Sequence, residues 1–224
     1  MRPVDKGSSP RTYTNYRNAQ SDLIDRLGDY CSYCERQIET HIAVEHIQPK
    51  SKVPTLRNEW TNFLLACVNC NSCKGDSDIV VDDYFWPDTD NTLLAFDYSG
   101  GRVVPHPTLI TANITKAQST ITLFGLDREP GHSNYKTTDK RWQRRLEAWD
   151  LAQRDLQRLN MNNTNEVREL IVENAIARGM FSIWLKVFED DPDMKRRLIR
   201  SFKGTAMNCF DASYCSCTRP GGRL

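Results

Sequence analysis

Two cysteine pairs, Cys31-x-x-Cys34 and Cys67-x-x-Cys70, constrain this chain more than any other feature. A gap of two residues lets both thiolates of a pair turn toward one ion, and two such pairs supply the four sulfurs of a tetrahedral structural zinc (Zn2+) site. Four unrelated buried thiols would have to reproduce both short spacings by chance. Cys73 follows closely, so spacing alone leaves an exchange of Cys70 for Cys73 open; Cys70 is the better match to the first pair. Disulfides are the rival reading of the eight cysteines. The opening Met1 to Pro10 has no apolar signal core, and no apolar run is long enough to cross a bilayer. The expectation is therefore a cytoplasmic protein with reduced thiols and no membrane association.

The segment between the pairs carries more than a plain zinc ribbon needs. Ala43 to Ile47 is short and partly apolar, and Pro49 ends any regular pairing, so a brief strand delivers Glu45 and His46 to a loop. Adjacent strand residues face opposite ways, so one of the two must stand at the strand's end if both serve one site. Downstream, Asn62 precedes the apolar run Phe63-Leu64-Leu65-Ala66, and Asn71 and Lys74-Gly75 follow the second cysteine pair.

From about Gly28 to Asp78 these elements, in this order, resemble the HNH (ββα-metal) endonucleases in the version whose zinc knuckles flank the motif. The resemblance implies that His46 is the general base, that Glu45 and Asn71 hold a catalytic divalent ion, and that Asn62 fixes the loop carrying the histidine. Asn71 stands where the last His of the family name falls, and Glu45 stands where Asp is more frequent; its side chain is one methylene longer. The implied chemistry is coherent. Imidazole titrates near neutral pH and can take a proton from water, while carboxylate and amide oxygens suit a hard ion, Mg2+ or Mn2+. Lys74 is expected to contact nucleic acid. A pure binding module, the rival function class, has no need of a base beside oxygen ligands. His41, His106 and His132 have no such setting and are expected to be structural or exposed. The opening residues Met1 to Gly7, the knuckle Cys31-Ser32-Tyr33-Cys34-Glu35 and the Glu45-His46 pair are also similar to PtuB-type HNH proteins of Septu and retron antiviral systems. That likeness implies an ABC-type ATPase as partner.

The remainder reads as packing units around this module. Thr12 to Leu27 has helical apolar spacing. Leu93 to Tyr98 and Arg102 to Val104, joined through Ser99-Gly100-Gly101, carry a hairpin signature. Asp82, Asp83, Asp88 and Asp90 read as solvated loop acids. Helices are expected over Ala112 to Phe124, Lys136 to Asn160, from Thr164 to near Gly179, over Met180 to Phe188, and from Pro192 onward. The long one has an apolar stripe of Trp142, Leu146, Trp149, Ala152, Leu156 and Leu159, with Arg141, Arg144 and Arg145 on an opposite, modestly basic face that is either solvated or a DNA-backbone contact. Net charge is only +1, so affinity for DNA must come from local basic surface. The densest is Lys195, Arg196, Arg197 and Arg200, a candidate DNA-phosphate or partner contact. Cys209, Cys215 and Cys217 form an incomplete ligand set and are expected to be free thiols in a flexible tail. The expected architecture is α+β: an N-terminal arm and helix (1–27), the HNH module (28–90), a connecting hairpin and helix (91–130), and a helical region with its tail (131–224).

Overall fold

In the computed structural model, which describes residues 1–224, a 3-10 turn at Tyr16–Asn18 runs into helix α1 (Ala19–Leu27). The helix is shorter than its apolar spacing suggests, because Asn15, itself in an extended conformation, caps the turn by accepting from the Arg17 N–H, and the residues before it form bends and irregular backbone. Ala19, Leu23 and Leu27 form its buried stripe. Strand β1 (Ala43–His46) pairs antiparallel with β2 (Phe63–Ala66), Ala43 opposite Ala66 and His46 opposite Phe63. Every residue of β2 is buried, which is why this run shows no polar alternation. Helix α2 (Val68–Lys74) follows directly, with the Cys67 sulfur accepting from the Cys70 N–H at its start. Strand, strand and helix form a ββα unit.

The next segment departs from the expected hairpin. Asn91 accepts from the Leu93 N–H and starts a short helix, α3 (Thr92–Ala95), so only Phe96–Asp97 (β3) and Val104–Pro105 (β4) pair. Four helices match the expected spans closely: α4 (Thr111–Phe124), α6 (Asn165–Arg178), α7 (Phe181–Val187) and α8 (Pro192–Ser201). Thr164 caps α6 through the Val167 N–H. Helix α5 (Arg141–Met161) begins later than expected, after turns that end at Asp139, whose carboxylate accepts from the Arg141 N–H. Its inner face is also rotated from the expected stripe. The buried positions are Arg141, Arg145, Ala148, Ala152, Asp155 and Leu159, whereas Leu146 is 36% exposed. Both arginines are tolerated inside because their guanidiniums donate to main-chain carbonyls, Arg141 to Phe124 and Gly125 and Arg145 to Gly101 and Leu126.

The apolar interior falls into two clusters. One gathers α1, the ββα unit, Phe85, Trp86 and α4; the other gathers α6, α7, α8 and the C-terminal half of α5. They meet where Gly179, in the left-handed region, lies so close to the first knuckle that an added Cβ would stand 2.4 Å from the Glu35 carbonyl oxygen. The tail forms no helix beyond a 3-10 turn at Met207–Cys209, but it is tied down rather than free. Asn91 donates to the Cys209 and Cys217 carbonyls, Arg219 donates to the carbonyls of Val4 and Pro87, and Arg223 pairs with Asp90 at 2.8 Å. Two loop acids are thus internal instead of solvated: Asp90 is fully buried, and Asp88 pairs with Lys6 at 2.7 Å.

Candidate active site and zinc centre

The sulfurs of Cys31, Cys34, Cys67 and Cys70 lie within 4.8 Å of one another, and all four residues are buried. A tetrahedron with zinc–sulfur bonds of about 2.3 Å has edges of about 3.8 Å, and Cys34 Sγ stands 3.7 Å from Cys67 Sγ. The donor set therefore fits a structural zinc ion. Cys73 lies outside the group; its sulfur accepts instead from Arg128 at 3.0 Å and Arg141 at 3.5 Å, which decides the Cys70 or Cys73 alternative. Four thiolates around a divalent ion leave excess negative charge, and the protein places cations against it. Arg141 donates to Cys70 Sγ at 3.1 Å while pairing with Asp139 at 2.6 Å. Burial alone would lower the Arg141 pKa, but Asp139 and the thiols of Cys70 and Cys34 hold it well above the ordinary value. Nothing in the helical spacing marks Arg141 for this position, since it reads as one more surface arginine. Cys209, Cys215 and Cys217 form no comparable metal-holding group.

A cleft of about 770 Å³ opens beside this centre, and Glu45, His46, Asn71 and Lys74 are among its lining residues. His46 is the last residue of β1, where the backbone turns into the loop, so it and Glu45 share one cleft. Its Nε2 stands 2.9 Å from the Arg57 carbonyl oxygen. A carbonyl can only accept, so Nε2 carries the proton and Nδ1 keeps a lone pair. Burial pushes the imidazole pKa below its ordinary value; the Arg57 carbonyl opposes this, and the charges of Lys50 and Lys74 add to it. The ring is neutral at neutral pH. Asn62 staples the following loop: its Oδ1 accepts from the Gln48 N–H at 2.8 Å, and its Nδ2 donates to the carbonyls of Gln48 at 2.9 Å and Leu56 at 3.2 Å.

Glu45 is internal, with Oε1 2.7 Å from Lys74 Nζ and Oε2 accepting from the Tyr33 hydroxyl. Lys74 also donates to the His46 carbonyl at 2.6 Å and is 1% exposed. The nucleic-acid contact expected of Lys74 gives way to an internal brace, because the ammonium is buried and held by the Glu45 carboxylate and the His46 carbonyl. Asn71 is exposed on α2, and its amide is free of protein hydrogen bonds. An ionised carboxylate offers about four lone-pair sites, and Lys74 and Tyr33 use two of those on Glu45. Glu45 and Asn71 both line the cleft, and carboxylate and amide oxygens are the donor type that a hard divalent ion prefers. Lys195, Arg196, Arg197 and Arg200 are not brought to this cleft. Arg196 and Arg197 pair with Asp193, Lys195 reaches Cys215 Sγ at 3.6 Å, and Arg200 lies over the Tyr214 ring at 5.6 Å. Two groups of the site escape sequence reasoning: Tyr33, hidden inside a zinc knuckle, and the Arg57 carbonyl, a main-chain group with no residue signature.

Residues 31–77 match the family model HNH endonuclease. The chain thus carries an HNH endonuclease domain, and the matched segment contains both cysteine pairs, Glu45, His46, Asn62 and Asn71. No curated protein matches the chain. The HNH segment ends at residue 77, so Arg141, the cation against the four-cysteine cluster, comes from outside it.

Proposed function

We propose that this protein hydrolyses DNA phosphodiester bonds, with His46 as general base and a divalent ion, magnesium or manganese, held by Glu45 and Asn71. One observation carries the reading: His46 presents an unpartnered Nδ1 in the cleft that Glu45 and Asn71 also line. Nδ1 takes a proton from the attacking water, and the Arg57 carbonyl stabilises the imidazolium that results. Asn62 keeps the loop from drifting, so the ring does not have to be ordered during the reaction. The ion, when bound, supplies positive charge for the phosphoryl and leaving oxygens. Zinc at the four cysteines is structural and separate from this chemistry.

The finer reading is a PtuB-type subunit acting beside an ABC-type ATPase in cytoplasmic antiviral defence, and it is supported by the likeness of the opening residues and the first knuckle. The test of the activity is conversion of supercoiled plasmid to nicked or linear DNA, with the ATPase added in a parallel series. Cleavage that requires magnesium or manganese is expected. Inactivity under all metals and with the partner, in a folded zinc-loaded protein, would instead favour a non-catalytic module that binds nucleic acid.

A further inference from the structure

One wall of the cleft is built by residues that precede the HNH segment. Tyr16, Arg17 and Gln20 line it opposite α2, together with Lys50 from the loop after the catalytic histidine. Tyr16 packs edge-on to His46, with ring centroids 4.7 Å apart and planes at 69°. Lys50 Nζ lies 5.1 Å from the Tyr16 ring centroid, and Arg17 Cζ lies 6.0 Å from it. The phenol is itself held below its ordinary pKa, first by the neighbouring Arg17 guanidinium and, against partial burial, by the charge of Lys50.

Three properties distinguish this group from a solvated basic face. The wall is fixed: Asn15 accepts from the Arg17 N–H at 3.1 Å, Asn58 donates to the Thr14 carbonyl at 3.2 Å, and Gln20 donates to the Ile42 carbonyl. Its cations are uncommitted, since Arg17 and Lys50 have Tyr16 rather than an acid as neighbour, in contrast to Lys74, Arg196 and Arg197. Its aromatic ring lies against two cations and the His46 ring. Two cations held near each other repel, and an anion placed between them relieves that repulsion. Of the acids lining the cleft, Glu45 is engaged by Lys74, which leaves Asp76 as the other negative group.

We infer that Arg17, Lys50 and the Tyr16 hydroxyl form a seat for a backbone phosphate of the nucleic-acid strand, next to the scissile phosphate at His46. The inference rests on the nuclease reading of this cleft and extends it, because it assigns substrate positioning to a turn outside the HNH segment. A seat that touches phosphate and not base edges contributes affinity without sequence preference.

The experiment measures binding and cleavage separately. Binding of a short fluorescent DNA duplex is followed across salt concentrations in a His46→Ala background, with and without the added pair Arg17→Ala and Lys50→Ala. The pair should weaken binding equally for unrelated sequences and lower the slope of log affinity against log salt by about 1 to 2. In chains that retain His46, the pair should raise KM more than it lowers kcat, and Arg17→Lys with Lys50→Arg should restore most of the affinity. Zinc content and circular dichroism confirm the fold of each variant. Unchanged affinity and salt slope in the folded pair variant would overturn the seat, as would a loss confined to particular sequences or affinity lost only for inorganic phosphate. The two readings fail separately. Cleavage with an unaltered KM in the pair variant would remove the seat and leave the nuclease, whereas a wild type that never cleaves would remove the nuclease while the binding arm still decides the seat.

Discussion

Lys74 has the most instructive position of any single side chain in the cleft. Its ammonium and the Glu45 carboxylate are both internal and 2.7 Å apart, so removing one partner leaves a charge with little water around it. Lys74→Met should lower stability by on the order of 3 kcal/mol, since breaking a buried pair costs far more than losing a surface one. Thermal unfolding with and without manganese tests this. A bound ion beside Glu45 would replace the missing positive charge, so added metal should recover more stability in the variant than in wild type. Equal melting temperatures for the two proteins would contradict the pairing, and equal metal effects would argue against Glu45 as an ion ligand. The sequence marks Lys74 only as a basic residue after a cysteine knuckle. What it cannot indicate is that the Glu45 carboxylate and the His46 carbonyl both accept from the ammonium in the interior, because both partners come from β1.

Among the elements, the ββα unit was legible because its signals are local. Two short cysteine spacings, a β-type run ended by Pro49 and an apolar run after Asn62 lie within one stretch, and the pairing of β1 with β2 needs no distant information. Helix α5 was legible in existence but not in orientation. The apolar count favours Trp142 and Leu146, but tertiary structure turns Arg141 and Arg145 inward, where free carbonyls at the end of α4 accept their protons. Helices α6 and α8 carry a prediction of their own. Asp191 caps α8 through the Met194 N–H and pairs with Arg168 of α6 at 2.9 Å, and Arg168 also meets Asp193 at 3.3 Å. Burial tends to raise the Asp191 pKa, but the Arg168 and Met194 hydrogen bonds outweigh it; Arg196 and Arg197 hold Asp193 down. Carboxyls lower in the folded state than in the unfolded chain stabilise it above the ordinary carboxylate pKa and lose that effect as pH falls through the folded value. Melting temperature should therefore drop on acidification below about pH 4, and an Asp191→Asn, Asp193→Asn protein should show a shallower drop. Identical acid profiles would mean that this clip is not a source of the dependence.

Across the whole molecule, the four-cysteine cluster joins parts that are distant in the chain. Cys31, Cys34, Cys67 and Cys70 belong to the first apolar cluster, Arg141 brings α5 onto Cys70, and Gly179 and Met180 bring the junction of α6 and α7 onto the Glu35 carbonyl. Loss of the ion would leave four buried thiols with mutual repulsion or unmet hydrogen bonding, and folding and metal binding are coupled in such sites. One zinc per chain is expected by elemental analysis, and a strong chelator should lower the melting temperature of the entire protein in one transition. A metal-free chain that stays folded would contradict the structural role. No helix is long and apolar enough to cross a membrane. The tail was the part least open to sequence reasoning, since Arg219 and Arg223 sit in a stretch of glycine and proline and find their partners more than a hundred residues away.

The central claim is that the His46 imidazole, held by the Arg57 carbonyl, is the base of a DNA-cleaving site. The measurement that tests it most directly compares cleavage rates of wild type and His46→Ala, each verified for zinc content and fold, in magnesium and in manganese. Loss of a general base costs roughly a hundredfold to ten-thousandfold in rate. In His46→Ala a loss of that size is expected, beyond repair by excess metal, with zinc and melting behaviour retained. Cleavage at the wild-type rate by a folded, zinc-loaded His46→Ala protein would contradict it.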